Sequence, residues 1–122
     1  MGRESVLKDG ELAIQGHSQH IFPADITVTA ISGTTDLGDV YDAIIFYNFS
    51  TTAHIRIIYG ITSPSGDATI KKGDVIPTAS GANRPGVLIL SERMQYIKHI
   101  ASVAGSHTVA ITAHNNPIVA DR

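Results

Sequence analysis

The stretch YDAIIFYNFSTTAHIRIIYGIT, residues 41–62, holds five of the chain's seven aromatic side chains: Tyr41, Phe46, Tyr47, Phe49 and Tyr59. Two runs rich in β-branched and aromatic residues, 41–48 and 54–62, flank the polar Ser50-Thr51-Thr52. Side chains of that kind suit a pleated, half-buried surface, and a short polar break between two such runs is a strand–turn–strand pattern. The unit reads as a core hairpin. Its second run sets Ile55, Ile57, Tyr59 and Ile61 against His54, Arg56, Ile58, Gly60 and Thr62, so one face is wet. The first run is apolar on both faces through Ile44-Ile45-Phe46-Tyr47. That places it in a central strand, or beneath an arm or a neighbouring subunit.

Upstream, Leu12 and Ile14, then Ile21 and Phe22, suggest short strands either side of Gly16-His17-Ser18-Gln19, with Pro23 closing the section. Residues 25–31 alternate Ile26, Val28 and Ala30 against Thr27 and Thr29, which predicts a half-buried strand. Residues 32–39, SGTTDLGD, read as a loop. Downstream, Ser63-Pro64-Ser65-Gly66 is a turn, residues 68–70 are a short extended piece, and Lys71-Lys72-Gly73-Asp74 leads into Val75-Ile76 before Pro77. Residues 78–86, TASGANRPG, read as a flexible loop closed by a strand over 87–90. Ser91-Glu92-Arg93-Met94 reads as a single helical turn, too short to stand alone.

A second hairpin is expected near the C-terminal end, with strands over 96–101 and 108–113. A three-residue loop at 104–106 groups Ile97, His99 and Ala101 with Val109, Ile111 and Ala113, and leaves Lys98, Ser102, Thr108 and Thr112 outside. A loop one residue shorter or longer sets Lys98 beside Val109 and Ile111, so the separation of apolar from polar favours the three-residue register. His99 then faces inward, and Ile100 is exposed. Asn115-Asn116-Pro117 ends the folded part.

Short strands between turn signals, without an amphipathic helix, predict an all-β chain. The expectation is a single-domain two-sheet β-sandwich, jelly-roll or immunoglobulin-like, with about seven or eight short strands. It spans 11–114, with a polar N-terminal arm at 1–10 and a C-terminal tail at 115–122. A length of 122 residues suits one domain with a real core. Charged residues are only 16%, so burial of some surface against partners is expected. The net charge is -2, and the only adjacent basic pair is Lys71-Lys72, which does not suit a nucleic-acid or membrane-surface binder. Without cysteine there is neither disulfide nor thiolate chemistry. The first residues, MGRESVLKDGELAIQG, lack the apolar core of a secretory signal, and no apolar run reaches membrane-spanning length.

Candidate chemistry is sparse. His17 and His20 have an H-x-x-H spacing in a loop-like stretch, but a metal needs further ligands that no nearby motif supplies. Asp36, Asp39 and Asp42 recur at every third position, and three carboxylates on one loop could serve calcium, although the EF-hand pattern is absent. A solvated loop accounts for them as well. His54, His107 and His114 read as surface or strand-end residues, and His99 as a hydrogen-bonded core or interface histidine. Neither a G-x-S-x-G elbow nor a phosphate-binding glycine pattern occurs. No catalytic, cofactor-binding or metal-binding residue is assigned, and the chain reads as non-enzymatic. Asn48-Phe49-Ser50 matches a glycosylation sequon.

The Ser/Thr/Gly/Ala-rich strands GDVIPTASGANRPGVLIL at 73–90 and YIKHIASVAGSHTVAITA at 96–113 resemble those of small β-sandwich structural proteins of tailed-bacteriophage virions, of the capsid decoration (cement) type. The resemblance is one of overall style, and no functional residue carries over from it. It implies a virion protein, assembled in the host cytoplasm, that stabilises the head by bridging coat subunits. It also implies homo-oligomerisation, as trimer or dimer, and the major capsid protein or other virion proteins as partners. The alternative is a carbohydrate- or receptor-binding β-sandwich module of a tail or adhesion assembly, with the loops at 32–39 and 78–86 forming its binding edge. Known sugar sites favour an exposed Trp or Tyr platform, and this chain has no Trp.

Overall fold

The computed structural model describes residues 21–64 and 73–115. The arm at 1–10, Leu12, Ile14, the His17/His20 pair and the tail beyond residue 115 lie outside them. The described residues form eight strands: β1 (Ile21–Val28), β2 (Gly33–Tyr41), β3 (Ala43–Asn48), β4 (Ile55–Gly60), β5 (Asp74–Ile76), β6 (Gly86–Leu90), β7 (Met94–Ala101) and β8 (His107–His114). They make two four-stranded sheets, ordered β1-β8-β3-β6 and β2-β7-β4-β5. Hydrogen-bonded antiparallel pairs run from the outside inward: β1 with β8, β2 with β7, β3 with β6, β4 with β5. One long antiparallel ribbon, wrapped so that its pairs alternate between two sheets, has this order. It is the eight-stranded jelly roll rather than an immunoglobulin-like arrangement.

This topology corrects both expected hairpins. β3 and β4 belong to opposite sheets, so residues 49–54 form a corner that crosses the sandwich. β7 and β8 are likewise in opposite sheets, and the 102–106 loop crosses between them. The side-chain sorting inferred for 96–113 nevertheless holds: Ile97, His99 and Ala101 are buried on one sheet, Val109, Ile111 and Ala113 on the other. A period of two decides which face of a strand is apolar wherever that strand goes, whereas the hairpin register supposed a partner it does not have. Ile100 is half-buried rather than exposed.

Other boundaries shift for local reasons. Pro23 lies inside β1, opposite Thr112, which is tolerable because β1 is an edge strand and a proline there costs no ladder bond to a further strand. β1 ends at Val28, short of the predicted residue 31. The loop expected at 32–39 is mostly β2. Its ladder with β7 runs from Gly33↔His99 to Asp36↔Tyr96, then resumes at Tyr41↔Met94 after a bulge. In that bulge Gly38 takes a φ of 85°, its amide bonds Asp36 Oδ1 at 2.8 Å, and Leu37 is buried in the core. The loop expected at 78–86 contains a tight turn, in which Ser80 donates to Arg84 O (3.0 Å) and Arg84 to Gly81 O (3.1 Å), and it ends at Gly86, the first residue of β6. Residues 91–93 make no helical turn, and Met94 opens β7.

The core lies between the sheets. Val28, Ile44, Phe46, Val109 and Ile111 face Leu37, Ile55, Ile57, Ile76, Met94 and Ile97, all buried, with Leu88 and Leu90 of β6 packed against them. β3 is central in its sheet, between β8 and β6, one of the placements its two apolar faces left open. Ile44 and Phe46 fill the core, while Ile45 and Tyr47 point to the outer surface and stay half-buried.

Candidate functional site

Four connections meet at one end of the sandwich: 29–32, 49–54, 77–85 and 102–106. Asn48, the last residue of β3, ties two of them together, 49–54 and 77–85. Completely buried, it donates from Nδ2 to Ala53 O (2.8 Å) and Pro77 O (3.0 Å), and its Oδ1 accepts from the Ser50 amide (3.0 Å). These bonds also exclude Asn48 as a glycan acceptor despite its sequon. Gly86, at the start of β6, lets the chain pass close by. A Cβ there would overlap the Pro77 carbonyl and lie 2.9 Å from Thr78 O.

His107 opens β8, a strand end as expected, but is buried beside this corner. Its Nε2 lies 2.9 Å from Val103 O, which can only accept, so Nε2 carries the proton and Nδ1 a lone pair. Ser50 Oγ, 2.9 Å from Nδ1, therefore donates to it. The same oxygen accepts from the amides of Thr52 (3.2 Å) and Ala53 (3.0 Å). A serine next to a histidine that a third group orients has the outline of an activated nucleophile. Here both lone pairs of Ser50 are engaged by backbone amides, so the arrangement locks the loops instead of arming the hydroxyl. A sequence signal for His107 existed, because the inward alternation of Ala113, Ile111 and Val109 extends back to it.

Around this locked floor lies a recess of about 390 Å³ lined by Phe49, Ser50, Thr51, Thr52, Ser106, His107 and Thr108. Phe49 is 45% exposed at its rim. Its amide bonds Thr108 O at 3.1 Å, which holds the start of the corner against β8. At the opposite end Tyr59 donates to Asp74 Oδ2 (2.9 Å), and burial, with that carboxylate and Glu92, pushes its phenol up to about 12. It remains a donor throughout the neutral range.

The two outer faces differ. On the β2-β7-β4-β5 sheet, Arg56 and Lys98 interrupt the apolar Ile58, Ile100 and Val75. On the other sheet the cross-strand rows read Pro23–Thr112–Ile45–Ile89 and Asp25–Ala110–Tyr47–Val87, with Asp25 the only charge. Ile89 is 66% exposed. Edge protection differs in the same way. β5 is only three residues long, β2 is bulged, and β1 carries Pro23 and Asp25. β6, GVLIL, carries no charge, proline or bulge, and among the described residues it pairs only with β3.

Asp36, Asp39 and Asp42 do not converge on a metal site. Asp36 Oδ1 accepts from the Gly38 amide and from Gln95 Nε2 (3.1 Å), and Asp39 Oδ1 accepts from the Val40 amide (2.8 Å). No group of three or more metal-ligating side chains exists among the described residues. His54 precedes β4 and His114 closes β8.

His99 is 6% exposed, with Nε2 bonded to Thr35 Oγ1 at 2.9 Å and a buried Nδ1 that has no partner among the described residues. Burial lowers its pKa below 6.5, since charging the ring there forfeits hydration. The unfolded chain then binds the proton more readily. The stability tied to the neutral ring is full above pH 6.5 and falls as the pH drops toward the lowered folded value. Urea midpoints should decline as the pH falls below 6.5, and less steeply in His99→Leu. Equal slopes in the two proteins would assign the acid sensitivity to another group.

Compared with known proteins, the chain matches no family model, no curated protein sequence and no solved structure.

Proposed function

We propose that the protein is a non-enzymatic virion structural protein, a capsid decoration protein that stabilises the head by bridging coat subunits. The observation that carries this reading is the unguarded β6 edge beside an almost uncharged outer face. Among the described residues, three of the four sheet edges bear a device that discourages strand addition, and β6 bears none. Next to it Ile89, Ile45, Val87 and Tyr47 form an apolar block that a partner can cover. A coat-protein segment adding to β6 would gain main-chain hydrogen bonds and bury that block in one step. A sandwich stiffened by a continuous core suits such a clamp, because little order has to be acquired on binding. The resemblance of the 73–90 and 96–113 segments to phage decoration proteins points the same way. Assembly as a trimer or dimer would place several copies of this edge on one particle and raise avidity. The N-terminal arm and C-terminal tail would add contacts to neighbouring subunits, and the particle would be built in the host cytoplasm.

Sedimentation of purified protein with empty heads tests the reading. Saturable binding at a fixed ratio to coat subunits is expected, and protein that stays in the supernatant at every concentration would overturn it.

A further inference from the structure

We infer that the recess at the 49–52 corner is a binding site for a neutral carbohydrate, one pyranose ring in contact with Phe49. This inference stands apart from the capsid role, since it rests on the loop end of the sandwich and not on the β6 edge.

Three features define the ligand class. The first is charge. Phe49, Ser50, Thr51, Thr52, Ser106, His107 and Thr108 line the recess, with no Lys, Arg, Asp or Glu among them. A phosphate, sulfate or carboxylate would find no cation there, and an amine no anion, so a charged ligand would lose hydration without a partner. The second is hydroxyl density. The Ser50 hydroxyl is committed to His107 and to the amides of Thr52 and Ala53, and the Thr52 hydroxyl lies 3.3 Å from it, whereas the hydroxyls of Thr51, Ser106 and Thr108 make no hydrogen bond to any described residue. Each can donate one bond and accept others, as a polyhydroxylated ligand requires. The third is the platform. Phe49 is an exposed aromatic ring at the rim of an otherwise polar cup, and the C–H faces of a sugar ring supply the apolar surface that such a ring covers.

Rigidity follows from the bonds beneath. Asn48 holds the corner to Pro77, Ser50 holds His107, and His107 holds Val103 of the opposite loop. Both walls are therefore fixed before a ligand arrives, which lowers the ordering cost of binding. The recess, about 390 Å³, is within the size range of small-molecule sites. The same local alternation that buries Phe46 and Asn48 turns Phe49 outward. A phenylalanine thus supplies the aromatic platform in a chain that has no Trp.

Saturation-transfer NMR and calorimetry on the full chain test the site. The probes are methyl glycosides of glucose, galactose, mannose and N-acetylglucosamine, with N-acetylneuraminic acid and glucose 6-phosphate as anionic counterparts. At least one neutral glycoside should bind with a millimolar dissociation constant, more tightly than either anion. Phe49→Ala and Thr108→Val should each weaken it about tenfold or more, a loss of roughly 1.4 kcal/mol, without changing the melting temperature. Three results would overturn the inference: no transfer from any neutral glycoside, tighter binding of an anion, or affinity unchanged in both folded variants.

Discussion

Phe46→Lys should leave no folded protein at room temperature, while Ile45→Lys, one residue away, should fold with a melting temperature close to that of the parent. Phe46 is 1% exposed and sits on the inner face of β3, opposite Leu88 on one side and Ile111 on the other. Truncating such a ring to alanine costs about 3–5 kcal/mol, and placing an ammonium there adds the cost of an unpaired buried charge. The sum approaches the whole stability of a small domain, about 5–15 kcal/mol. Ile45 faces outward between Thr112 and Ile89 on a half-exposed surface, where a lysine can carry its charge into water along an extended stem. Circular dichroism and thermal melting of the two variants decide the matter. A folded Phe46→Lys protein would remove β3 from the centre of the account.

Asn48→Leu should lower the unfolding free energy by about 4 kcal/mol. The side chain is nearly isosteric, so packing changes little, but three buried or partly buried backbone groups lose their partner: Ala53 O, Pro77 O and the Ser50 amide. Each such group costs about 1–3 kcal/mol when left unsatisfied. Asn48→Asp would keep an acceptor for the Ser50 amide, yet it sets a carboxylate against two carbonyl oxygens, so it should be no milder. Urea unfolding gives the magnitude. Amide exchange gives the place: Ala79, whose N–H donates to Ser50 O at 2.7 Å, should lose protection along with Ser50. A loss below about 1 kcal/mol would mean that water readily replaces Asn48 and that the loop end is not held as described.

What the residues disclosed in advance, and what they withheld, divides along the line between local and global interactions. Alternation identified the inner faces of β4, β7 and β8, because burial of every second side chain is imposed wherever a strand has one covered face. The two apolar faces of residues 44–47 correctly pointed to a central strand. Strand pairing was not legible. Strands that are neighbours in sequence read as neighbours in a sheet, whereas the jelly roll pairs β3 with β6 and β8, and β4 with β5 and β7. Nothing in Ser50-Thr51-Thr52 distinguishes a hairpin turn from a corner that changes sheets. β2 was hidden for a different reason: Gly, Thr and Asp dominate it, and its bulge brings turn chemistry into the strand itself.

The loop end was legible only in fragments. Asn48-Phe49-Ser50 resembles a sequon, but the bond from the Ser50 amide to Asn48 Oδ1, two residues back, is an Asx-turn, a signal the sequence also carries. The further bonds of Asn48, to Ala53 and Pro77, depend on tertiary packing, as does the meeting of Ser50 with His107 across 57 residues of chain. The outer face of the β1-β8-β3-β6 sheet emerged only once the register aligned Ile45 with Ile89 and Tyr47 with Val87.

That face carries the central claim, and its most direct test uses Ile89→Lys, on the exposed β6 edge, in sedimentation with empty heads. The account predicts a protein that melts like the parent and binds heads at least tenfold more weakly, because a lysine both charges the block and guards the edge. Undiminished head binding by a folded Ile89→Lys protein would contradict it.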